Sequence, residues 1–341
     1  MNSILLGKTQ EELTAIAAEL KLSSYRGNQI ANWIYKKHAV ELDEMTNLPA
    51  QLRSGMSEHY RIGRETFLEV AESKDGTKKY LFPCGGGRRI ETALIPDGRR
   101  NTLCVSTQAG CERGCRFCFT ARSGFNGNIN ASEILNQYAS VPERDTITNI
   151  VFMGMGEPFD NTNAVLRSVE VLTADYGYAM SPTRLTVSTV GVMPGMKRYL
   201  NETRAHLAIS LNSPFADERA RLMPIEKQFA IKDVVKLVRE YDWSGQRRLT
   251  FEYIMFAGVN DSRGHAEAVA RLLRGLECRV NLIPFNSAPG LDFASSSRDV
   301  IERFQGQLKR ARIMTIIRKS KGGDIAAACG QLSGERESVR R

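Results

Sequence analysis

The chain of 341 residues has 47 Lys and Arg against 38 Asp and Glu, a formal net charge of +9, and is 42% hydrophobic. This composition excludes wholesale disorder, and no segment approaches the roughly 18 consecutive apolar residues that a membrane helix needs. The length predicts one large domain with an appendage or two domains, and the basic surplus suits a polyanionic partner such as nucleic acid.

Residues 1–64 are predicted to form a small helical accessory domain that binds RNA. Thr9 is a candidate N-cap for a first helix with apolar residues at helical spacing. A second amphipathic helix is predicted over Tyr25–Lys37, and a third, short one begins at Leu48-Pro49. The basic residues of the second helix suit phosphate contacts, but a solvated basic face explains them equally well.

Residues 65–100 change to the alternation that is typical of strands. The Asp75-Gly76 pair lies between two β-patterned runs, Thr66–Val70 and Lys79–Phe82, which predicts a hairpin. A second turn and a further strand, Ile90–Ile95, follow. We interpret this region as a β-hairpin linker between the helical domain and the rest of the chain.

Residues 101–332 alternate between strand and helix patterns. Strands are predicted at 103–106, 149–153, 184–188, 206–211, 249–255, 279–283 and 314–317, and helices at 131–140, 163–176, 194–199, 215–221, 231–241, 264–276 and 297–311. Strands rich in Val, Ile and Leu that are separated by helices indicate a parallel sheet. The fold class is therefore α/β, a partial or full (β/α) barrel with ligands at the carboxyl ends of its strands. Residues 333–341 form a charged tail that we expect to fray.

The stretch Cys111-Glu-Arg-Gly-Cys115-Arg-Phe-Cys118 places three cysteines on one tight loop. Three thiolates can hold three corners of an iron–sulfur cube, whereas a cube held entirely by protein needs four. The missing fourth leaves one iron open to bind another molecule. A zinc loop is the alternative, but structural zinc takes four ligands, and none of the four histidines lies beside this loop.

The cysteine count bears on the compartment. The seven cysteines are odd in number, and residues 1–20 lack the apolar core of a secretory signal. We therefore expect a cytoplasmic protein, in which clustered cysteines usually bind metal or take part in catalysis. Cys329 lies among small residues and Cys104 lies one strand-length before the three-cysteine loop, so both are candidates for the site, although a lone cysteine is more often an inert buried thiol. Cys84 and Cys278 have no such context.

Polar residues follow several predicted strands, at the edge where parallel sheets bind ligands. Gly156 allows close approach of a ligand to the backbone, and the carboxylate of Glu157 is able to accept hydrogen bonds from an ammonium group. Ser188, Ser210 and Asn286 offer hydroxyl and amide groups at the ends of other strands. Taken singly, each is more commonly an ordinary turn residue.

Six motifs, in order, resemble those of the radical S-adenosylmethionine (SAM) adenine-C2 RNA methyltransferases. The resemblance runs from about Leu13 to Leu332. The motifs are Cys104-Val-Ser-Thr-Gln-Ala-Gly-Cys111 with the two cysteines that follow it, Met153-Gly-Met-Gly-Glu-Pro158, Ser188-Thr-Val-Gly191, Ala208-Ile-Ser-Leu211, Asn281-Leu-Ile-Pro284 and Asp324-Ile-Ala-Ala-Ala-Cys329-Gly-Gln-Leu332.

The resemblance implies a role for each matching residue. A [4Fe-4S] cluster is expected on Cys111, Cys115 and Cys118. SAM contacts are expected from Gly156, Glu157, Ser188, Ser210, Leu211, Asn212 and Asn286. Cys329 matches the cysteine that carries a methyl group, Cys104 its disulfide-forming partner and Glu91 the general base. Two residues depart from the family pattern: the family often has His at the position of Asn212 and a smaller residue at that of Phe119. At Asn212 we expect a main-chain contact to survive and a ring contact to be lost, and at Phe119 we expect the three-cysteine loop to pack differently.

The implied reaction explains why such parts are needed. C2 of adenine is an amidine carbon with no lone pair to attack a sulfonium methyl, so the cofactor supplies a radical route. The family uses two SAM molecules per turnover, one to methylate Cys329 and one to start the radical reaction. Its substrates are an adenosine of 23S rRNA and, in bacteria, one in some tRNAs, taken out of the base stack.

Expected partners and rival functions complete the hypothesis. An electron donor such as a flavodoxin or ferredoxin, a monomer and no membrane association are expected. Methylation at adenine C8 by the same chemistry is the rival activity. A non-catalytic iron–sulfur RNA-binding protein and a zinc-binding RNA module are the two candidate functions without methyl transfer.

Overall fold

The computed structural model describes residues 2–287 and 290–333. Eleven α-helices are present in this part of the chain: α1 (Gln10–Glu19), α2 (Tyr25–Tyr35), α3 (Ala50–His59), α4 (Phe119–Arg122), α5 (Ala131–Ala139), α6 (Thr162–Thr173), α7 (Met193–Glu202), α8 (Ala216–Leu222), α9 (Ile231–Val238), α10 (Arg263–Leu272) and α11 (Arg298–Arg310). None of these described helices is long and apolar enough to cross a lipid bilayer.

The described strands number fourteen: β1 (Ser3–Ile4), β2 (Tyr60–Arg61), β3 (Glu69–Glu72), β4 (Lys78–Cys84), β5 (Arg88–Asp97), β6 (Arg100–Cys104), β7 (Gln108–Gly110), β8 (Phe125–Asn128), β9 (Asn149–Phe152), β10 (Leu185–Thr189), β11 (His206–Ser210), β12 (Leu249–Met255), β13 (Arg279–Pro284) and β14 (Met314–Ile317). All seven strands predicted over residues 101–332 are confirmed, as are the seven helices between them, with ends that differ by a few residues. The predicted charged tail lies outside the described residues except for Ser333.

The three predicted N-terminal helices are confirmed, and the first has the predicted cap. The Thr9 side chain accepts from the Glu12 amide, and the Glu12 side chain accepts from the Thr9 amide, which forms a capping box. Gly27 lets α2 cross α1 closely, because a Cβ there would lie 2.5 Å from the Thr14 side chain. The sequence did not predict that β1 and β2 pair in parallel, since strands of two residues carry no detectable alternation.

Ten strands form one sheet in the order β14-β13-β12-β11-β10-β9-β6-β5-β4-β3. The seven strands from β6 to β14 in this order are parallel, and β3, β4 and β5 are antiparallel. The hairpin that we interpreted as a linker thus continues the large sheet through β5 and β6. The proposed division of the chain into domains stays a prediction.

The barrel is partial, because β14 and β3 form the two unpaired edges of the described sheet. The segment after β14 crosses from one edge to the other. The Gly322 amide donates to the Asp75 carboxylate at 2.8 Å, and the Ser73 hydroxyl donates to the Asp324 carboxylate at 2.6 Å. This crossing segment carries Cys329 over the inner face of the sheet.

The two faces of the parallel sheet differ in polarity. The outer face is buried against the helices through residues such as Leu103, Phe152, Val187, Leu207 and Phe251. Side chains alternate along a strand, so the intervening residues line the inner face. Those residues include Thr186, Ser188, Ser210, Glu252 and Asn281, and they are only partly buried. We call the space enclosed by the inner face the lumen; its polar wall is where a ligand would bind.

Candidate active site

The three-cysteine loop follows β7 and leads into α4. Gly110 has φ +82°, and a Cβ there would lie 1.9 Å from the carbonyl oxygen of Gly124. The Cys111 amide donates to that carbonyl at 2.9 Å, and the Phe119 amide donates to the Gly330 carbonyl at 2.7 Å. The loop is therefore fixed at one end by the turn before β8 and at the other by the crossing segment.

The three thiols fit an iron–sulfur cluster. They are free and lie within electrostatic range of one another, and burial raises the pKa of Cys115, of Cys118 and of Cys111, the last to about 12. Buried neighbouring thiols favour their neutral form, whereas bound metal deprotonates a coordinating thiol. Among residues 2–287 and 290–333, no three His, Cys, Asp or Glu side chains converge to hold a single metal ion. Three neighbouring thiols are a donor set that fits three corners of an iron–sulfur cluster.

The loop after β9 packs directly on the chain that leads into the cysteine loop. Gly156 has φ +99°, and a Cβ there would lie 2.5 Å from the side chain of Gln108. The amides of Thr107 and Gln108 both donate to the Met155 carbonyl. The Glu157 amide donates to the Gln108 side chain at 2.8 Å. Gly156 is thus required here by close packing, whatever it contacts in a ligand.

Glu157 is buried, and its carboxylate already accepts three hydrogen bonds. The donors are the Phe159 amide, the Thr189 hydroxyl and the Val190 amide, at 3.0, 2.6 and 2.9 Å. Burial raises the pKa of Glu157 to about 7, against the opposing effect of these hydrogen bonds. The carboxylate fixes the end of β10, so little of it remains free to bind an ammonium group.

The expected SAM contacts after β10 and β11 lie on the lumen wall. Ser188 and Ser210 are partly exposed at the ends of neighbouring strands, and the Leu211 amide donates to the Glu252 carbonyl at 2.9 Å. Asn212 has φ +51°, a conformation that Asn tolerates, and its side chain is committed to the Ile254 amide and to Met223. Any ligand contact from Asn212 therefore falls to its main chain.

Asn286 lies apart from these contacts along the sheet. It follows β13, is partly buried and accepts a hydrogen bond from the Ser320 hydroxyl on the crossing segment. This contact ties the end of β13 to the segment that carries Cys329. The role of Asn286 toward SAM stays a prediction.

A buried arginine that the sequence did not predict supports this wall. Arg219 on α8 is fully buried, and its guanidinium donates to the carbonyls of Val190, Ser210 and Leu211 at 2.7, 2.9 and 3.0 Å. It also pairs with the Glu226 carboxylate at 2.6 Å. One side chain thereby joins the carboxyl ends of β10 and β11. The sequence gives one indication of this buried role: Arg219 is a charged residue at a helix position where an amphipathic helix would bury an apolar residue.

Cys104 and Cys329 meet on the lumen wall, although 225 residues separate them. Cys104 is buried with Ala93 and Ala327, and burial together with the neighbouring Cys329 raises its pKa. Cys329 is accessible to solvent, yet the surrounding protein raises its pKa too, and Glu252 and Cys118 lie within its electrostatic range. The crossing segment thus places Cys329 between the three-cysteine loop and Cys104.

Glu91 lies on the same wall, with a buried partner that the sequence did not predict either. Its strand neighbour Ala93 pairs with Cys104, so Glu91 and Cys104 lie on one face of adjacent strands. Its carboxylate lies 3.2 Å from the Lys79 ammonium group and accepts from the Ser333 amide at 2.7 Å. Lys79 stands at one of the alternate positions of β4 whose side chains face the lumen. A lysine at such a position is the feature of the sequence from which this partner could have been predicted.

The fold and the site together define a class. A partial β/α barrel with a three-cysteine loop beyond its first parallel strand is the arrangement of radical SAM proteins, and the model of the Radical SAM superfamily matches residues 105–270. A second model, described as the ribosomal RNA large subunit methyltransferase N-terminal domain, matches residues 3–62.

Relatives identify the family within that class. The chain is 48% identical to a protein named "Probable dual-specificity RNA methyltransferase RlmN" of Bacteroides thetaiotaomicron, over 96% of this chain and 95% of the relative. It is 42% identical to the dual-specificity RNA methyltransferase RlmN of Syntrophus aciditrophicus, over 95% and 94%. A crystal structure of a radical SAM methyltransferase from Sphaerobacter thermophilus superposes with a TM-score of 0.92 at 40% identity, over 98% of this chain and all of that one. The chain belongs to the RlmN family, and it is a radical SAM RNA methyltransferase.

Proposed function

We propose that this enzyme methylates C2 of an adenosine in 23S rRNA, and of one in tRNA, through a methyl group carried on Cys329. The observation that supports this most is that Cys104, Cys329 and Glu91 lie on one wall of the lumen, with Cys118 of the three-cysteine loop within electrostatic range of Cys329. A thiol that carries carbon, a second thiol to release it and a carboxylate to accept a proton are then within reach of one substrate.

The cofactors have residues suited to hold them. Cys111, Cys115 and Cys118 would hold the [4Fe-4S] cluster. The backbone of Gly156, Leu211 and Asn212, with Ser188, Ser210 and Asn286, would hold SAM, while the buried carboxylate of Glu157 orients the loop. When bound, the cluster and two SAM molecules per turnover supply the methyl group and the radical chemistry that C2 requires.

The protein's own residues then complete the reaction. With C2 joined to the carbon on Cys329, Glu91 accepts the C2 proton. The Cys104 sulfur attacks the Cys329 sulfur, so an S–S bond forms and the carbon–sulfur bond breaks. The CH2 carbon leaves with the electron pair of that bond and takes up a proton, which makes it the methyl group of the released RNA. A small electron donor such as a flavodoxin or ferredoxin would reduce the disulfide and the cluster. Thiol–disulfide exchange needs an attacking thiolate and access. The position of Cys104 near Cys329 supplies the contact, while the raised pKa of Cys104 means that its thiol proton has to leave as the sulfur attacks.

We also propose that the enzyme is a cytoplasmic monomer, since ribosomal RNA and tRNA are found in the cytoplasm. The fold closes its core within one chain, which is consistent with a monomer. Sedimentation of the reconstituted protein at several concentrations would test the monomer, because a concentration-dependent mass contradicts it.

Product analysis is the decisive experiment. Protein reconstituted with iron and sulfide under anaerobic conditions is incubated with SAM, a reductant and 23S rRNA or tRNA, and the digested RNA is analysed by mass spectrometry. We expect 2-methyladenosine with wild-type protein and none with Cys329→Ala. 8-Methyladenosine would instead support the rival activity, and RNA binding without SAM cleavage would support the non-catalytic function.

Removal of the cluster thiols tests the ligand assignment separately. The triple change Cys111→Ala, Cys115→Ala and Cys118→Ala should abolish the brown absorbance of the reconstituted protein. The matched control, Cys84→Ala with Cys278→Ala, should keep it, because these thiols lie elsewhere in the fold. A cluster spectrum that survives in the triple variant contradicts the assignment.

A further inference from the structure

Four arginines stand at the amino-terminal ends of the parallel strands, opposite the cysteine loop. Arg100 begins β6, Arg184 immediately precedes β10, Arg248 immediately precedes β12, and Arg279 begins β13. We call these four residues the basic ring. The proposed reaction uses none of them.

The alternation of side chains places the basic ring on the lumen side of the sheet. Arg100 is an even number of residues from Cys104, and Arg248 is an even number from Glu252, so each pair shares a face. Arg184 ends a short 3-10 helix before β10 and is assigned to the ring because it acts electrostatically on Arg100. Arg279 pairs with Thr250 across the sheet and joins the same face. The hydrogen bonds between β11 and β12 extend to Arg248, because its carbonyl accepts from the Leu207 amide at 3.0 Å.

The basic ring concentrates positive charge that the described protein does not neutralise. Burial lowers the pKa of Arg100 and of Arg279, and the neighbouring Arg248 lowers both further. Arg184 also lowers the pKa of Arg100. Among the described residues, no member of the ring has a carboxylate within 4.0 Å. The carboxylate that acts electrostatically on Arg100 is Asp97, which lies 3.7 Å from the Lys321 ammonium group.

The basic ring is continuous with the reaction centre. Arg318, after β14, lies within electrostatic range of Arg100 on one side and of Glu252 and Cys329 on the other. The lumen-facing Met314 and Ile316 of β14 are exposed, 54% and 40%, so this part of the lumen is open to solvent. A polynucleotide that entered at the amino-terminal ends of the parallel strands would pass the basic ring before it reached Cys329.

We propose that the basic ring binds the phosphodiester groups beside the target adenosine, so that RNA enters the lumen from the amino-terminal ends of the strands. This inference rests on the proposed function and adds a substrate-binding site to it. Guanidinium groups bind phosphate oxygens in a bidentate manner. The ring extends from β6 to β13, which are the ends of a run of six neighbouring strands about 5 Å apart. It is therefore wider than one free phosphate can contact and suits successive phosphates of a single RNA strand.

Salt-dependent RNA binding tests the proposal. The variant Arg248→Gln with Arg279→Gln removes two charges and none of the hydrogen bonds that the described side chains make. An RNA hairpin with the target adenosine in its loop is titrated with wild-type and variant protein at several salt concentrations. We expect affinity to fall about 10-fold at low salt, and the slope of log K against log salt to become shallower by about 1.4, because each phosphate contact of a single strand contributes about 0.7.

The matched control removes the same charge elsewhere. Arg271 and Arg274 are exposed in a groove of about 500 Å³ beside α10 and α11, on the outside of the barrel. Arg271→Gln with Arg274→Gln should leave RNA affinity and the salt slope near the wild-type values. An equal loss in both double variants would overturn the ring and leave only an effect of net charge.

A single variant and a competition with inorganic phosphate complete the test. If the first double variant fails to fold, Arg279→Gln alone should still flatten the slope by about 0.7, and an unchanged slope would overturn the proposal. Inorganic phosphate should compete with RNA only at high concentration; phosphate that binds tightly and is not displaced by RNA would assign the ring to a free anion. Methylation of Cys329 in wild-type protein without RNA tests the proposed function separately.

Discussion

The Lys79 ammonium nitrogen lies 3.2 Å from the Glu91 carboxylate, and both side chains are buried on the wall of the lumen. Burying two charges is costly, and removal of one partner leaves the other without compensation. The pair holds the carboxylate of the proposed base beside Cys104, while the Ser333 amide contacts the other carboxylate oxygen. The crossing segment and the base are therefore held in one arrangement.

Lys79→Met should destabilise the fold and slow the proton transfer. Loss of one partner of a buried ion pair costs about 3–5 kcal/mol, and the orientation of Glu91 is lost with it. We expect a lower denaturation midpoint and RNA covalently attached to the enzyme in a denaturing gel. The double variant Lys79→Met with Glu91→Gln should regain stability but not turnover; turnover at the wild-type rate in Lys79→Met would contradict the positioning role.

Arg219→Lys should weaken SAM binding selectively. A lysine cannot reproduce the fork that joins the carbonyls of Val190, Ser210 and Leu211, so the ends of β10 and β11 separate. We expect SAM affinity, measured by equilibrium dialysis on reconstituted protein, to fall about 10-fold, or about 1.4 kcal/mol.

Arg247 provides the matched control for that variant. It donates to the carbonyls of Tyr199, Leu200 and Ala205, at the opposite end of β11. Arg247→Lys should lower the denaturation midpoint comparably while SAM affinity stays near wild type. Equal SAM affinity in the two variants would show that Arg219 acts on stability alone.

Cys104→Ala should trap RNA on the enzyme. Cys104 is the buried thiol beside Cys329, and without its attack the carbon–sulfur bond to Cys329 persists. We expect a protein–RNA species in a denaturing gel that appears only when SAM and a reductant are present. Cys278→Ala removes a thiol from a distant strand start and should release product normally; a Cys104→Ala reaction that leaves only free RNA would argue against the disulfide step.

His206 should make stability depend on pH in mildly acidic solution. Burial and the neighbouring Arg248 and Arg279 lower the pKa of His206 from 6.5 to about 4, and its Nδ1 accepts from the Arg248 amide at 3.0 Å. The unfolded chain then binds more protons than the folded one between these values, so stability should fall as pH drops from 6.5 toward 4. The free energy of unfolding, measured by urea denaturation across this pH range, should depend less steeply on pH in His206→Gln than in wild type. An identical pH dependence in the two proteins would exclude His206 as the cause.

The elements of this fold follow from local patterns. Helix α1 begins at a capping box whose two partners are three residues apart, and the strands after residue 101 are apolar runs between helices. The three-cysteine spacing likewise indicates a metal cluster from eight consecutive residues. Such features depend on backbone geometry over one or two turns, which the sequence alone determines.

Pairings between distant segments depend on how the sheet closes. The sequence could not place Cys329 against Cys104, pair Lys79 with Glu91, or commit the side chain of Asn212 to Ile254, because each contact requires the strand order and the path of the crossing segment. It also left open a full or partial barrel and treated β3–β5 as a linker, since register along an edge strand is set by its neighbour. The sequence by itself determined which residues bring chemistry to this protein, whereas only the tertiary structure decided which of them share one wall of the lumen, because side chains far apart in the chain meet only after the sheet has formed.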